Sequence, residues 1–148
     1  MRRHGVSWAR TALFALAAVA LFALSACGGG SYLQVNLLRD ATHDKPVYVG
    51  LYFLSQESAV DGASIPDLID NPDQFTDGVV ESRVVPVYPG EVKPITMENY
   101  DPAIQWIAVV ADFGSDAECT RDKKPIPSGS KFALNIKVEA DCIELEIK

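Results

Sequence analysis

From residue 32 onward the chain alternates apolar and polar side chains in short runs broken by turn residues. Tyr32 to Leu38 (YLQVNLL) has the two-residue period of a half-buried strand. Arg39 to Lys45 is a polar turn. Pro46 to Leu54 (PVYVGLYFL) is β-branched and aromatic, with Pro46 at a first position where a missing N–H is tolerated. Val79 to Tyr88, Val92 to Met97, Lys131 to Val138 and Cys142 to Ile147 read as further strands, and Ile104 to Phe113, the most apolar segment of this region, as a central one. Between them, Ser55 to Gly78 carries no strand pattern. Within it Ser64-Ile65-Pro66-Asp67-Leu68-Ile69 predicts a helix start, with Ser64 as cap and Pro66 in the first turn. The expectation is an all-β fold, an antiparallel β-sandwich of about seven strands with one or two short helices inserted; there are no crossover helices to support a parallel sheet. Trp106, Tyr48 and Phe132 are expected in or near its core.

Ahead of residue 27 the pattern is different. A short basic start is followed by fourteen apolar-patterned residues, Thr11 to Leu24. A bilayer core needs about 20 residues, so this run suits the hydrophobic region of an export signal. It ends in Leu24-Ser25-Ala26-Cys27, which resembles the bacterial lipobox. The expected organisation is a lipoprotein signal peptide over 1–26, a lipidated Cys27 opening a Gly-rich tether over 27–31, and a β-sandwich domain over 32–148. Cys27 would carry a covalent diacylglyceryl group and an N-acyl chain such as palmitate. Each buried CH₂ adds about 0.8 kcal/mol of membrane affinity, so several chains suffice for stable anchoring. The alternatives are an ordinary secretory signal followed by an incidental cysteine, or an N-terminal membrane helix. Gly28, not Asp, follows the cysteine, and by the usual sorting rule of diderm bacteria the lipobox resemblance then implies an outer-membrane location facing the periplasm. Gly28-Gly29-Gly30 lacks the strand and helix that a phosphate-binding glycine loop requires, and a tether this short keeps the folded body near the bilayer.

Charge and chemistry narrow the function. Residues 1–26 hold three arginines and no acid, so the remainder carries ten basic against twenty acidic side chains. Such a polyanion has no electrostatic footprint for nucleic acid. With Cys27 assigned to lipid, Cys119 and Cys142 form an even pair in an oxidising compartment and predict one disulfide; a redox or metal pair is the alternative, although the spacing is not CxxC. Outside the signal the one histidine is His43, flanked by Asp40 and Asp44, a crowded set that closes a metal site less readily than it forms a solvated turn. Asp61, Asp67, Asp70, Asp73 and Asp77 cluster in the insertion, but without the order of a calcium loop. No GxSxG, HExxH or P-loop is present. The expectation is no enzyme, no catalytic residues, no metal and no cofactor beyond the covalent lipid.

The order of these pieces is similar to that of a known group. A lipobox cysteine precedes the first strand, and a proline-led second strand, PVYVGLYFL, precedes an insertion carrying Leu68 and Phe75. Val87-Tyr88-Pro89-Gly90-Glu91 resembles an "L-x-PGE" turn. Tyr100-Asp101-Pro102 followed by Ile104 to Phe113 resembles "LDP…YLGVVAAF". Together they resemble the outer-membrane lipoproteins of type VI secretion systems (TssJ-type). The resemblance implies a transthyretin-like sandwich and a non-enzymatic role: docking the periplasmic C-terminal region of the large inner-membrane subunit and tethering the membrane complex. It also implies partner binding by the loop between the first two strands, here Arg39, Asp40, Ala41, Thr42, His43 and Asp44. Neither nucleic acid nor a small-molecule substrate is expected as a partner. The competing reading is a ligand-binding or adhesion-type periplasmic lipoprotein, for which a pocket lined by Trp106 or tyrosines is the expected sign.

Overall fold

Alternation along Tyr32–Arg39 (β1) buries every second side chain, Leu33, Val35, Leu37 and Arg39, and leaves the others half-buried. Lys131–Val138 (β7) does the same with Phe132, Leu134, Ile136 and Val138. These observations come from a computed structural model that describes residues 30–42, 44–114, 118–127 and 131–148. The chain divides at Gly30, and Ser31–Lys148 is the folded unit considered below. Its remaining elements are β2 (Val47–Leu54), α1 (Ile65–Asp70), β3 (Val79–Val87), β4 (Val92–Glu98), β5 (Trp106–Asp112), β6 (Arg121–Pro125) and β8 (Ile143–Ile147), with single 3₁₀ turns at Pro72–Gln74 and Glu118–Thr120.

The strands form two four-stranded sheets, β4-β1-β7-β8 and β3-β2-β5-β6. Their inner faces enclose one core, built from rows such as Leu33, Val35 and Leu37 against Val49, Leu51 and Phe53. The predicted antiparallel sandwich holds for every strand pair but one. β1 runs parallel to β7, with Tyr32 opposite Lys131 and Arg39 opposite Val138. That relation joins the first strand to the seventh, and no local pattern carries it. An eighth strand is also present: Arg121–Pro125 (RDKKP) pairs with β5. It has no apolar alternation because it is an edge strand whose side chains are exposed or half-buried. Prolines sit in two other edge strands, Pro86 in β3 and Pro94 in β4, where the ladder can spare an N–H.

β2 and β5 do not alternate. Seven of the eight residues of β2 are buried. A sheet with apolar side chains on both faces must be covered on both. The cover on the outer side is the Ser55–Gly78 insertion. Its neck is closed by Ser55 N donating to the Gly78 carbonyl at 2.9 Å. α1 is capped as expected, with Asp67 N donating to Ser64 Oγ at 3.2 Å. Leu68 and Ile69 then pack with Val60, Tyr52, Leu54, Ala108 and Val110 in a second apolar cluster. The Tyr52 hydroxyl donates to the Leu68 carbonyl. Burial, with Asp73 adding to it, pushes this phenol up to about 12. Gly50 lies under the insertion, and a Cβ there would fall 2.8 Å from Val110 Cγ2 and 3.4 Å from Ile69 Cδ1.

Candidate functional site

β1 ends, and β2 begins, at one end of the sandwich; Ser31 lies at the other. Four connections share the end opposite Ser31: β1–β2, β3–β4, β5–β6 and β7–β8. Main-chain hydrogen bonds tie the first of these to the second and the fourth. Arg39 N donates to the Glu91 carbonyl at 3.0 Å and Asp40 N to the Val138 carbonyl at 3.3 Å. The β3–β4 connection, Tyr88-Pro89-Gly90-Glu91, closes with Glu91 N donating to the Tyr88 carbonyl at 3.0 Å. Gly90 has φ +73, the left-handed value that the third position of a type II turn requires. The Glu91 carboxylate in turn accepts from Tyr88 N at 2.8 Å. Cys119 and Cys142 are disulfide-bonded, with Cα atoms 4.9 Å apart, and so join the start of β6 to the start of β8. The bridge belongs to this same end, and it links the edges of the two sheets.

The sequence-predicted loop residues divide in two. Arg39 continues the buried phase of β1 and is only 6% exposed. Its Nη1 donates to the Val138 carbonyl at 3.4 Å and also to that of Glu139, and its guanidinium lies 5.9 Å from the centre of the Phe113 ring. Its Nε is buried without a hydrogen-bond partner among the described residues. Desolvation lowers its pKa, against the opposing field of Asp40. Arg39 therefore shapes the loop from beneath. Asp40, Ala41, Thr42 and Asp44 are exposed, and Asp40 Oδ1 accepts from Thr42 N at 3.0 Å, tightening the turn. His43 and Cys27 lie outside the described residues.

Two exposed aromatics beside this loop escape a sequence reading. Tyr88 is 54% exposed, and Tyr48, expected near the core, is 50% exposed. Tyr48 is on the outward phase of β2, opposite Pro86 and Asp112, beyond the reach of the insertion that covers Gly50 and Tyr52. Val92, 62% exposed, pairs with Leu38 nearby. Phe132 is buried as expected, and Trp106 is partly buried against the insertion cluster. The signal for Tyr88 was its place beside Pro89-Gly90, where a turn lifts the side chain clear of the sheet. Around these apolar positions acidic side chains predominate: Asp40, Asp44, Glu91, Asp112, Glu139 and Asp141 against Lys45 and Lys93, the latter paired with Glu91. Such a surface suits recognition of another protein.

The insertion's aspartates diverge. Asp61 is engaged by Lys123 at 2.9 Å, a hydrogen bond that raises the lysine's pKa, and Asp67 accepts from the Ser64 hydroxyl at 2.6 Å. Among the described residues no group of three or more His, Cys, Asp or Glu side chains is placed to hold a metal ion. Nor is any described helix long and apolar enough to cross a membrane.

Residues 34–141 match the family profile T6SS-SciN, described as type VI secretion lipoprotein (VasD, EvfM, TssJ). The chain belongs to this family. It thereby joins a group of secretion lipoproteins, not one of enzymes. The fold is also that of solved structures. The T6SS lipoprotein TssJ1 from Pseudomonas aeruginosa superposes with a TM-score of 0.71 at 20% identity, over 80% of this chain and 97% of that one. Serratia marcescens Lip, described as a membrane-bound component of the type VI secretion system, gives 0.68 at 14% identity, over 78% and 97%. A structure described as the T6SS protein TssM C-terminal domain from EAEC gives 0.57 at 20% identity, over 79% and 97%. No curated protein sequence matches the chain significantly.

Proposed function

We propose that this lipoprotein is held in the outer membrane by acyl chains on Cys27, faces the periplasm, and docks the periplasmic C-terminal region of the large inner-membrane subunit of a type VI secretion system. Residues 1–26 are removed on export, and 27–31 tether the β-sandwich. The role is mechanical: lipid holds one end while a disulfide-braced sandwich offers the other to a partner. The observation that carries this reading is the loop end itself. Three connections are hydrogen-bonded together and the Cys119–Cys142 disulfide ties in the fourth, buried Arg39 supports the β1–β2 loop, and Asp40, Ala41, Thr42 and Asp44 stand exposed beside Tyr88. Family membership and the likeness to the structure named for the TssM C-terminal domain support this choice of partner.

The geometry agrees with an anchor at the opposite end. Cys27 precedes Ser31 by four residues, at most about 14 Å of extended chain, and β1 then carries the fold away from that point. The test is co-purification of the lipidated protein with the partner's C-terminal region. Ala41→Arg and Thr42→Trp alter exposed positions outside the core, so folding is retained; the expected result is at least about a tenfold loss of affinity, about 1.4 kcal/mol. Undiminished binding would overturn the loop assignment. Cys27→Ser is expected to move the protein from the membrane to the soluble fraction.

A further inference from the structure

The end of the sandwich that holds Ser31 is built differently from the loop end. Here β4 hands the chain across to β5 through residues 99–105. Asn99 turns with φ +52, its N–H donating to the Ser31 carbonyl at 2.6 Å, and Ser31 Oγ donates to the Tyr100 carbonyl at 3.2 Å. Asp101 folds the crossover on itself, accepting from Ala103 N at 2.8 Å through Oδ1 and from Ile104 N at 2.9 Å through its carbonyl. The first residue of the folded unit is thus laced to the crossover. Between this crossover and the end of β6 lies an open cleft of about 690 Å³, lined by Tyr100, Pro102, Ile104, Trp106, Pro125 and Pro127 among others.

This cleft has the lining named for the ligand-binding reading. Its polar side-chain groups, on Ser31, Tyr100, Gln105 and Trp106, are all neutral. A small-molecule site normally encloses most of its ligand, whereas this cleft is open. A face of Tyr, Trp and Pro without charge is what an interface between water and lipid favours. The cleft lining carries no charged side chain, whereas the loop end is acidic and would be repelled by an anionic bilayer. Continuity decides between occupants: the chain leaves this end at Ser31, and on the lipid-anchor reading, on which this inference rests, the acylated cysteine is four residues away.

We infer that this cleft is a membrane-facing surface, with Tyr100, Pro102, Trp106 and Pro127 seated among phospholipid headgroups. The contact orients the sandwich, so that the acidic loop end points away from the bilayer.

The chain has two tryptophans, Trp8 and Trp106. Loss of residues 1–26, checked by intact mass, leaves Trp106 as the sole indole reporter, within the cleft. The full lipidated protein is reconstituted into vesicles of phosphatidylethanolamine and phosphatidylglycerol, with or without acyl chains brominated near the headgroup. Flotation reads anchoring; Trp106 emission reads contact. The expected result is flotation together with about a twofold reduction in emission in brominated vesicles. Pro127→Glu, an exposed position, should restore emission while flotation persists, and Tyr88→Glu at the other end should leave the quenching intact. Flotation with unquenched Trp106 overturns the inference and spares the anchor. Failure to float removes the anchor and the inference together. Equal quenching in wild type and Pro127→Glu also overturns it.

Discussion

β2 and β5 carry apolar side chains on both faces, whereas β1 and β7 carry mostly apolar side chains inward and mostly amides and charges outward. The two sheets share one core but meet different surroundings. Outside β3-β2-β5-β6 lies the insertion, with Leu68 fully buried against Tyr52 and Val110. Outside β4-β1-β7-β8 lies a hydrogen-bonded polar row. Gln34 Nε2 donates to Asn36 Oδ1 at 3.0 Å, Asn36 Nδ2 to Asn135 Oδ1 at 3.0 Å, and Lys137 pairs with Glu146 at 2.7 Å. Geometry at corresponding outward positions therefore has opposite energetic meaning. A side chain added over β2 must displace packed atoms, while one trimmed from β1 yields its place to water.

Four variants probe that difference. The largest effect is expected where the sheets are joined. Replacing Cys119 and Cys142 together with serine opens a link across 23 residues of chain and should lower stability by about 3 kcal/mol, read as the urea midpoint. Gly50→Ala drives a Cβ into Val110 and should cost about 2 kcal/mol. Tyr52→Phe forfeits the hydrogen bond to Leu68 and should cost about 1 kcal/mol at neutral pH. It also changes the alkaline behaviour. Folding raises the Tyr52 pKa from 10.0 to about 12, so the stability gained from a neutral phenol is complete below pH 10 and lost as pH climbs toward 12. Wild type should weaken over that window, and the phenylalanine variant should lack this component; parallel pH–stability curves would remove Tyr52 as its source. The smallest effect is expected for Asn36→Ala, about 0.5 kcal/mol, since its outward face is open and its partner Asn135 can turn to solvent. A cost equal to that of Gly50→Ala would erase the distinction between the sheets.

What the sequence made readable follows the same division. β1, β7 and β8 have one wet face each, and their alternation exposed them as strands. β2 and β5 were recognisable by apolar content, but the unbroken apolar run carried a further message: something must cover the second face. Leu68 and Ile69, in the segment read as a helix start, and Val60 were that cover, although no periodicity told which surface they would pack on. β6 was missed because an edge strand of Arg, Asp and Lys has no reason to alternate, and the parallel partnership of β1 with β7 is a tertiary fact without a local trace. At the loop end the candidate residues were identified as one polar turn. Position 39 nevertheless falls on the buried phase of β1, a signal that Arg39 belongs under the loop. The exposure of Tyr48 depended on where the insertion stops, which periodicity does not encode.

The parallel partnership also sets an order of events. A chain that emerges amino end first, from a ribosome or through a pore, has β1 available almost at once, yet its neighbour begins only at Lys131. β1 is the inner strand between β4 and β7, so that sheet stays incomplete until β7 has arrived. Until then β1 has a partner on one side only, and closing the sheet waits on a contact about a hundred residues away along the chain.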